Sequence, residues 1–432
     1  MAETNKTTAA PHSQHGHNGS TGLWRHRGFL LLWGGQTISQ FGSQITQWAL
    51  PLTAVLLLKA TPGQVGILAA AGSLPVLLSL FAGVWVDRVR RRPLLIIADS
   101  GRALLLSTIP LAYWLGWLSM TQLYLVALFS GLLTILFDIA YRSFLPSLIA
   151  REQLVEGNSK LEASRTLAGT AGPSLAGLLV QWFNGPAAIL GDALSFVVSF
   201  LSLAFIRVRE PVPNAVQRLD LRREIGEGLH TLVHHPLLRS LILASGIFNI
   251  FDSFLFAMYV PYLSRTLGAP PALIGLIMAL GSAGGLLGAL LAGRIPRAIG
   301  LGRTLFGSVL VAGVAELVIA VARGPLPIAA LLVIIGEASV QVSATIYMIN
   351  SVSLRQAIVP DRLQGRVNAT ARIIAEGGLP LGALLGGIIA DHYGLRLSVL
   401  VAGCGTLFAF LVVLLSPVRS LQEQPSTLEE IV

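Results

Sequence analysis

The chain has 432 residues, of which 53% are hydrophobic and only 12% charged, and its formal net charge is +9. A soluble domain carries about a quarter charged residues, so half that fraction, with mean hydropathy +0.72, excludes an ordinary soluble fold and indicates an all-α polytopic membrane protein. The apolar runs are continuous and about twice the length of the roughly ten alternating residues of a β-barrel strand, and lipid leaves helices as the way to satisfy their backbones.

Residues 1–22 are polar and predict a disordered tail; His12, His15 and His17 lack neighbours that would fix a metal geometry. Twelve spans follow, at roughly 28–57, 64–86, 93–117, 122–148, 161–183, 186–207, 238–264, 272–295, 302–322, 326–350, 368–390 and 396–416. The loops then alternate sides. One set holds Arg25, Arg27, the Arg88–Arg92 cluster, Arg151, Arg207, Arg294, Arg297, Arg362, Arg366 and Arg419; the other holds Lys59, Arg265, Arg323 and Arg396. That asymmetry predicts a plasma-membrane protein with both termini in the cytoplasm, and it reads the basic charge as orientation rather than a nucleic-acid stripe. Cys404 is the only cysteine, so no intrachain disulfide forms.

The connection 208–237 separates an N-terminal half, 23–207, from a C-terminal half, 238–416, with a cytoplasmic tail at 417–432. Within it Leu221, Ile225, Leu229 and Leu232 recur at helical spacing opposite Arg222, Arg223 and Glu227. This predicts an amphipathic helix, either on the inner membrane surface or packed on the protein's own cytoplasmic face. The halves carry an internal repeat: Arg165 precedes Pro173 by eight residues in span five, and Arg372 precedes Pro380 likewise in span eleven. Two pseudo-symmetric six-helix bundles are therefore expected.

Ionisable residues inside spans are functional candidates by default. Asp99/Arg102, Asp138/Arg142, Glu162/Arg165 and Arg372/Glu376 are spaced three or four apart and so share a helix face, as structural or gating ion pairs. Asp252, Glu316 and Glu337 have no local cation and are candidates to load and release a proton or to bind substrate. Gln36, Gln40, Ser43 and Gln47 form a polar face on span one that lipid would reject, and Asn249, Asp252, Phe256 and Tyr259 form one on span seven; both predict a water-filled cavity. Gly281, Gly284, Gly285 and Gly288 predict close helix packing rather than a phosphate loop. With no phosphate loop, no cofactor is implied and ATP is not the direct energy source. The histidines in tails and loops argue against an intramembrane enzyme.

The segment Gly83-Val-Trp-Val-Asp87-Arg88-Val89-Arg90-Arg91-Arg92 resembles the loop between spans two and three of the major facilitator superfamily, with Arg90 in place of a glycine. A degraded copy runs from Ala289 to Arg297, with Gly293 at the position of Asp87. Gly172-Pro173-Ser-Leu-Ala176-Gly177 is similar to the span-five element of that family's antiporters, with alanine for one glycine. The resemblance covers about residues 24–416 and implies alternating access. Asp87, Arg88, Arg91, Arg92, Asp138 and Arg142 would control inner closure, with Asp87 facing the start of span eleven and Asp138 partnering Arg91. Gly172, Pro173 and Gly177 would favour export by antiport, and spans one and seven would line the cavity, whereas span nine would face outward. The wording around Asp87 looks closest to the siderophore-exporter and macrolide-efflux branch. The reading is a monomeric, proton-coupled exporter of small amphiphilic compounds such as drugs. Siderophore export, nutrient import and a non-transporting receptor or scaffold stand as alternatives.

Overall fold

The computed structural model describes residues 23–86, 88–208, 210 and 221–423, without the side chains of residues 80, 81, 84 and 221–225. The expected N-terminal tail, Asp87, most of the stretch 209–220 and the end of the C-terminal tail lie outside them. Among the described residues the fold is helical throughout. The helices are α1 (Arg27–Leu56), α2 (Pro62–Ser73), α3 (Ser79–Val86), α4 (Arg91–Trp114), α5 (Met120–Leu148), α6 (Leu154–Phe183), α7 (Gly185–Phe205), α8 (Leu221–His234), α9 (Pro236–Pro261), α10 (Pro271–Ser282), α11 (Gly284–Leu291), α12 (Arg294–Ile299), α13 (Leu301–Val321), α14 (Leu326–Ile358), α15 (Asp361–Glu376), α16 (Leu379–Tyr393) and α17 (Leu395–Leu414).

Among the described residues, nine helical segments are long and apolar enough to cross a membrane. Expected spans one, two and five are not among the nine. For α1 and α6 the reason is polarity rather than length, since 30 residues rise ~45 Å. Span two is interrupted: α2 gives way to a 3-10 segment, Leu74–Leu78, carrying Pro75, before α3 resumes. Span eleven breaks at Gly377 and Gly378, because Pro380 opens α16, whereas α6 runs on through Pro173. Span ten continues past its expected end at residue 350 to Ile358.

The buried hydrophobic side chains fall into three clusters. One includes Leu23, Phe29, Leu95 and Phe144 and belongs to the chain before the central connection. A second includes Leu232, Leu305, Leu354 and Val413 and follows it. Both lie toward the arginine-bearing loops, hereafter the arginine-rich end. The third lies at the opposite end and is common to both parts of the chain, joining Leu52 and Ile189 to Phe254, Tyr262 and Val399.

Two close helix crossings hold that opposite end shut. At α6–α10, a Cβ on Gly177 would collide with the Pro271 carbonyl oxygen, and one on Gly275 with the Pro173 carbonyl oxygen. At α2–α16, a Cβ on Gly66 would stand 2.6 Å from the Ala383 carbonyl oxygen and one on Gly387 2.8 Å from that of Pro62. Hydrogen bonds tie the same end: Ala272 N to Gln181 Oε1 (3.0 Å), Thr61 Oγ1 to Asp391 Oδ2 (3.2 Å) and Arg265 Nη2 to the Ala60 carbonyl (2.6 Å). The glycines Gly281, Gly284 and Gly288 expected to pack closely do so, against Glu337, Ala338 and Val342. At the arginine-rich end, α8 packs on α15 of the same chain: Leu232 is buried, Gly228 lies against Thr370, and Glu227 pairs with Arg366.

Gly177→Val is expected to lower the thermal unfolding midpoint in detergent by an amount equivalent to about 1–3 kcal/mol, because overpacking must be relieved by backbone movement. Gly169→Val on the same helix, where nothing lies within 4 Å of an added Cβ, serves as the control and should change it far less.

Candidate functional site

A cavity of about 1250 Å³ lies within the part of the chain before the connection and reaches Leu286 of α11 across it. Its wall includes Gln36, Ser39, Gln40, Ser43 and Gln44 of α1, whereas Gln47 of the same polar face lies on a second, smaller cavity. Asp138 and Arg142 of α5 and Glu162 and Arg165 of α6 continue the wall toward the arginine-rich end.

Behind α1 the polar groups are joined into a buried chain. Arg102 pairs with Asp99 one turn away on α4. Asp99 Oδ2 accepts a hydrogen bond from Ser199 Oγ (2.6 Å), which in turn accepts one from Gln36 Nε2 (3.0 Å). Arg102 Nη1 donates to Thr134 Oγ1 (3.4 Å), and the guanidinium carbon stands over the rings of Phe137 and Phe196, 4.6 and 4.2 Å from their centroids. Asp192, on the same α7 face as Ser199, is buried and accepts from Ser195 Oγ at 3.0 Å. Gly42 makes room for it on α1, where a Cβ would strike both Asp192 and Ser195. Sequence reasoning missed Asp192; the acid sits in an apolar run, and its signal was a small residue on a different helix.

The expected ion pairs behave differently from one another. Glu162–Arg165 (3.2 Å) and Arg372–Glu376 (3.0 Å) each close within one helix and are solvent-accessible. Asp138 is solvent-accessible in the cavity, within electrostatic reach of Arg102, Arg142, Arg372 and Arg165. The implied partnership of Asp138 with Arg91 is not formed. Arg91 stands at the start of α4 and Asp138 about ten residues inside α5, so ~15 Å of helix separates their depths, and Arg102 occupies the matching level.

The loop around Asp87 has another role at its C-terminal side. The backbone N–H groups of Arg91 and Arg92 donate to Glu210 Oε2 (2.7 Å) and Oε1 (2.8 Å), so this carboxylate caps α4. Arg92 donates through Nε to the Leu203 carbonyl (3.0 Å) and through Nη2 to that of Ala204 (2.6 Å), capping the end of α7. Arg88 is exposed. Glu210 was not foreseen, because its partner is a helix start 119 residues away.

Past the connection, Asp252 and Phe256 of α9 line a second cavity of about 450 Å³, together with Gln47 and Pro51 of α1 and Leu68 of α2. The Trp48 ring lies 5.3 Å from that of Phe256. Glu337 and Tyr259 are instead buried against each other: Tyr259 OH donates to Glu337, whose other oxygen accepts from Gln341 Nε2 at 2.7 Å. Tyr259 thus faces an acid rather than open space. Glu316 is buried between α13 and α17, accepting from Thr406 Oγ1 at 2.8 Å. Asn249 Nδ2 donates to the Ser245 carbonyl of its own helix (2.9 Å). Gly172 packs on Gln44 of α1, and Pro173 and Gly177 form the α6–α10 crossing. Among the described residues no group of acids, histidines and cysteines could hold a metal ion.

Residues 20–430 match the family model described as a transmembrane secretion effector. The chain belongs to this family of major facilitator efflux transporters. It is a membrane transporter and not an enzyme. It is 31% identical over 347 residues to the multidrug efflux pump Tap of Mycolicibacterium fortuitum, covering 77% of this chain and 82% of the relative. It is 23% identical over 382 residues to macrolide efflux protein A of Streptococcus pyogenes, covering 87% and 92%. Among solved structures, a bacterial homologue of the iron transporter ferroportin in its inward-facing state superposes with a TM-score of 0.72 at 19% identity, covering 90% of this transporter and 98% of that chain. The outward-facing state of the ferroportin homologue gives 0.57.

Removing one member of a buried ion pair strands the other. Asp99→Asn is therefore expected to destabilise the transporter by roughly 3–5 kcal/mol, and Ser199→Ala by about 1 kcal/mol. Denaturant titration of the purified protein followed by tryptophan fluorescence compares the two; equal small effects would show that Asp99 does not hold Arg102.

Proposed function

We propose that this transporter is a proton-coupled exporter of small amphiphilic compounds, working by antiport and alternating access. Its twelve spans form two six-helix halves, 23–207 and 238–416, with both termini in the cytoplasm. One observation carries the reading: a large polar cavity lies toward the arginine-rich end, while the opposite end is sealed by the common hydrophobic cluster and the two glycine crossings. With arginines facing the cytoplasm, this is an inward-open state that loads cargo from inside the cell. The better superposition on an inward-facing structure supports it. Kinship with a protein named a multidrug efflux pump supports outward transport of drugs. A single chain supplies the whole pathway, so a monomer suffices.

Closure of the inner side would bring α6 and α15 together, letting Glu162–Arg165 and Arg372–Glu376 exchange partners across the mouth, with Asp138 and Arg142 beneath them. Asp87, outside the described residues, and Arg88, Arg91 and Arg92 belong to the same closing surface. Asp252, open to the smaller cavity, and Glu337, held by Tyr259, are the carboxyls proposed to exchange protons against cargo. Glu316, locked to Thr406 away from both cavities, is assigned a lesser part. The three arginines and two acids on the large cavity's wall also favour a second reading, export of an anionic chelator such as a siderophore.

Dye efflux into inverted vesicles should collapse with a protonophore, and should fall at least tenfold in the double variant Asp252→Asn, Glu337→Gln. Unchanged coupled efflux in that variant would remove both acids from the mechanism. For the inner gate, Glu162→Cys combined with Arg372→Cys, in a Cys404→Ser background, is expected to cross-link during turnover and to arrest transport until reduced. Absence of a cross-link under turnover would reject the partner exchange.

A further inference from the structure

The sealed end of the transporter is poor in acids. Its connections, 57–61, 115–119, 184–185, 262–270, 322–325 and 392–394, carry Lys59, Arg265 and Arg323 but no aspartate or glutamate. Among the described residues, Asp391, in the last turn of α16, is the one acid within a helical turn of them. Its own helix disfavours it there, because the C-terminal end of a helix dipole is negative. The neighbouring helix accounts for its position. α2 and α16 run antiparallel, with Gly66 against Ala383 and Gly387 and Gly63 against Asp391, so the end of α16 meets the start of α2.

Thr61 is the N-cap of α2. Its Oγ1 accepts from Gln64 N (3.3 Å), and its own N–H donates to Gln64 Oε1 (2.9 Å). The same hydroxyl donates to Asp391 Oδ2 at 3.2 Å. Gly63 leaves the space that the carboxylate occupies, since a Cβ there would collide with Oδ2. The carboxylate thus lies on the first turn of α2, where the positive end of that helix favours an anion. The preceding residue is held too: Arg265, just past α9, donates from Nη2 to the Ala60 carbonyl (2.6 Å). Two oppositely charged side chains from beyond the central connection therefore hold adjacent residues from before it. Thr61 and Asp391 are both exposed. Exposed polar ties are weak, which suits a contact that parts each time this end opens.

We infer that Asp391 is the latch of the sealed end, a positioning residue that sets the balance between the inward-open form and the form opened at this end. It lines neither the large nor the smaller cavity, so it acts on the equilibrium between forms rather than on cargo. The inference rests on the alternating-access part of the proposed function.

The test is double electron–electron resonance on the full chain in lipid nanodiscs, in a Cys404→Ser background. One spin-label pair, Trp117→Cys with Arg323→Cys, joins the two parts of the chain at the sealed end. The other, Val155→Cys with Gly365→Cys, joins them at the arginine-rich end. In the otherwise wild-type protein, the long distance at one end should accompany the short distance at the other. Asp391→Ala is expected to raise the ratio of open to closed forms at the sealed end at least threefold and to lower it correspondingly at the arginine-rich end. Asp391→Asn, which keeps an acceptor oxygen without the charge, should fall between. Thr61→Val should add nothing once Asp391 is alanine. Gln64→Ala, which breaks the capping box but spares the carboxylate, should leave the ratio unchanged. Unchanged ratios in Asp391→Ala overturn the latch. So does opening at the sealed end without closing at the other, a further shift from Thr61→Val, or an equal shift from Gln64→Ala. In each of these cases reciprocal distances in the wild-type background leave alternating access standing. Distances that do not vary reciprocally in that background overturn the latch and alternating access together.

Discussion

Backbone contact at four glycines is what the rest of this structure depends on. Where Gly177 meets Gly275 and Gly66 meets Gly387, helices from the two parts of the chain approach to within the width of a missing methyl group. Lipid supplies no hydrophobic drive between helices, so association relies on such close packing and on the few polar ties beside it. Because both crossings lie at one end, the hydrophobic core is continuous there and divided at the other. The cavity follows from that division.

Many polar groups within the helices are of two kinds, those held by a protein partner and those turned toward a cavity. The chain Gln36–Ser199–Asp99–Arg102 is of the first kind, and so are the pairs Glu337–Tyr259 and Glu316–Thr406. Asp138 and Asp252 are of the second. The distinction matters for transport, because an acid turned toward a cavity exchanges a proton directly, while one held as Glu337 is must first part from its partner.

Much of this was legible in the chain. The polar face from Gln36 to Gln44 is periodic, and periodicity survives folding; the pairs Asp99–Arg102, Glu162–Arg165 and Arg372–Glu376 are local, so spacing alone placed them on one face. What could not be read depends on contacts between distant helices. Glu337 looked solitary because Tyr259 is 78 residues away, and Asp192 was hidden in an apolar run because its room comes from Gly42. Glu210 looked like one linker charge among many, yet it caps α4. The interruption at Leu74–Leu78 was signalled by Pro75, although the apolar run across it read as continuous.

The ion pairs within α6 and α15 carry one more consequence. Glu156–Lys160, Glu162–Arg165 and Arg372–Glu376 each neutralise themselves within a single helix. Such short-range pairs are indifferent to how far apart the two sides of the mouth stand, so they neither resist nor reward separation. Any pairing that bridges the mouth would exist only once it narrows, and would be weakened by dissolved electrolyte. In the proposed alternating-access cycle, ionic strength should therefore bear unevenly, acting on the occluded and outward states while leaving the loading state almost untouched.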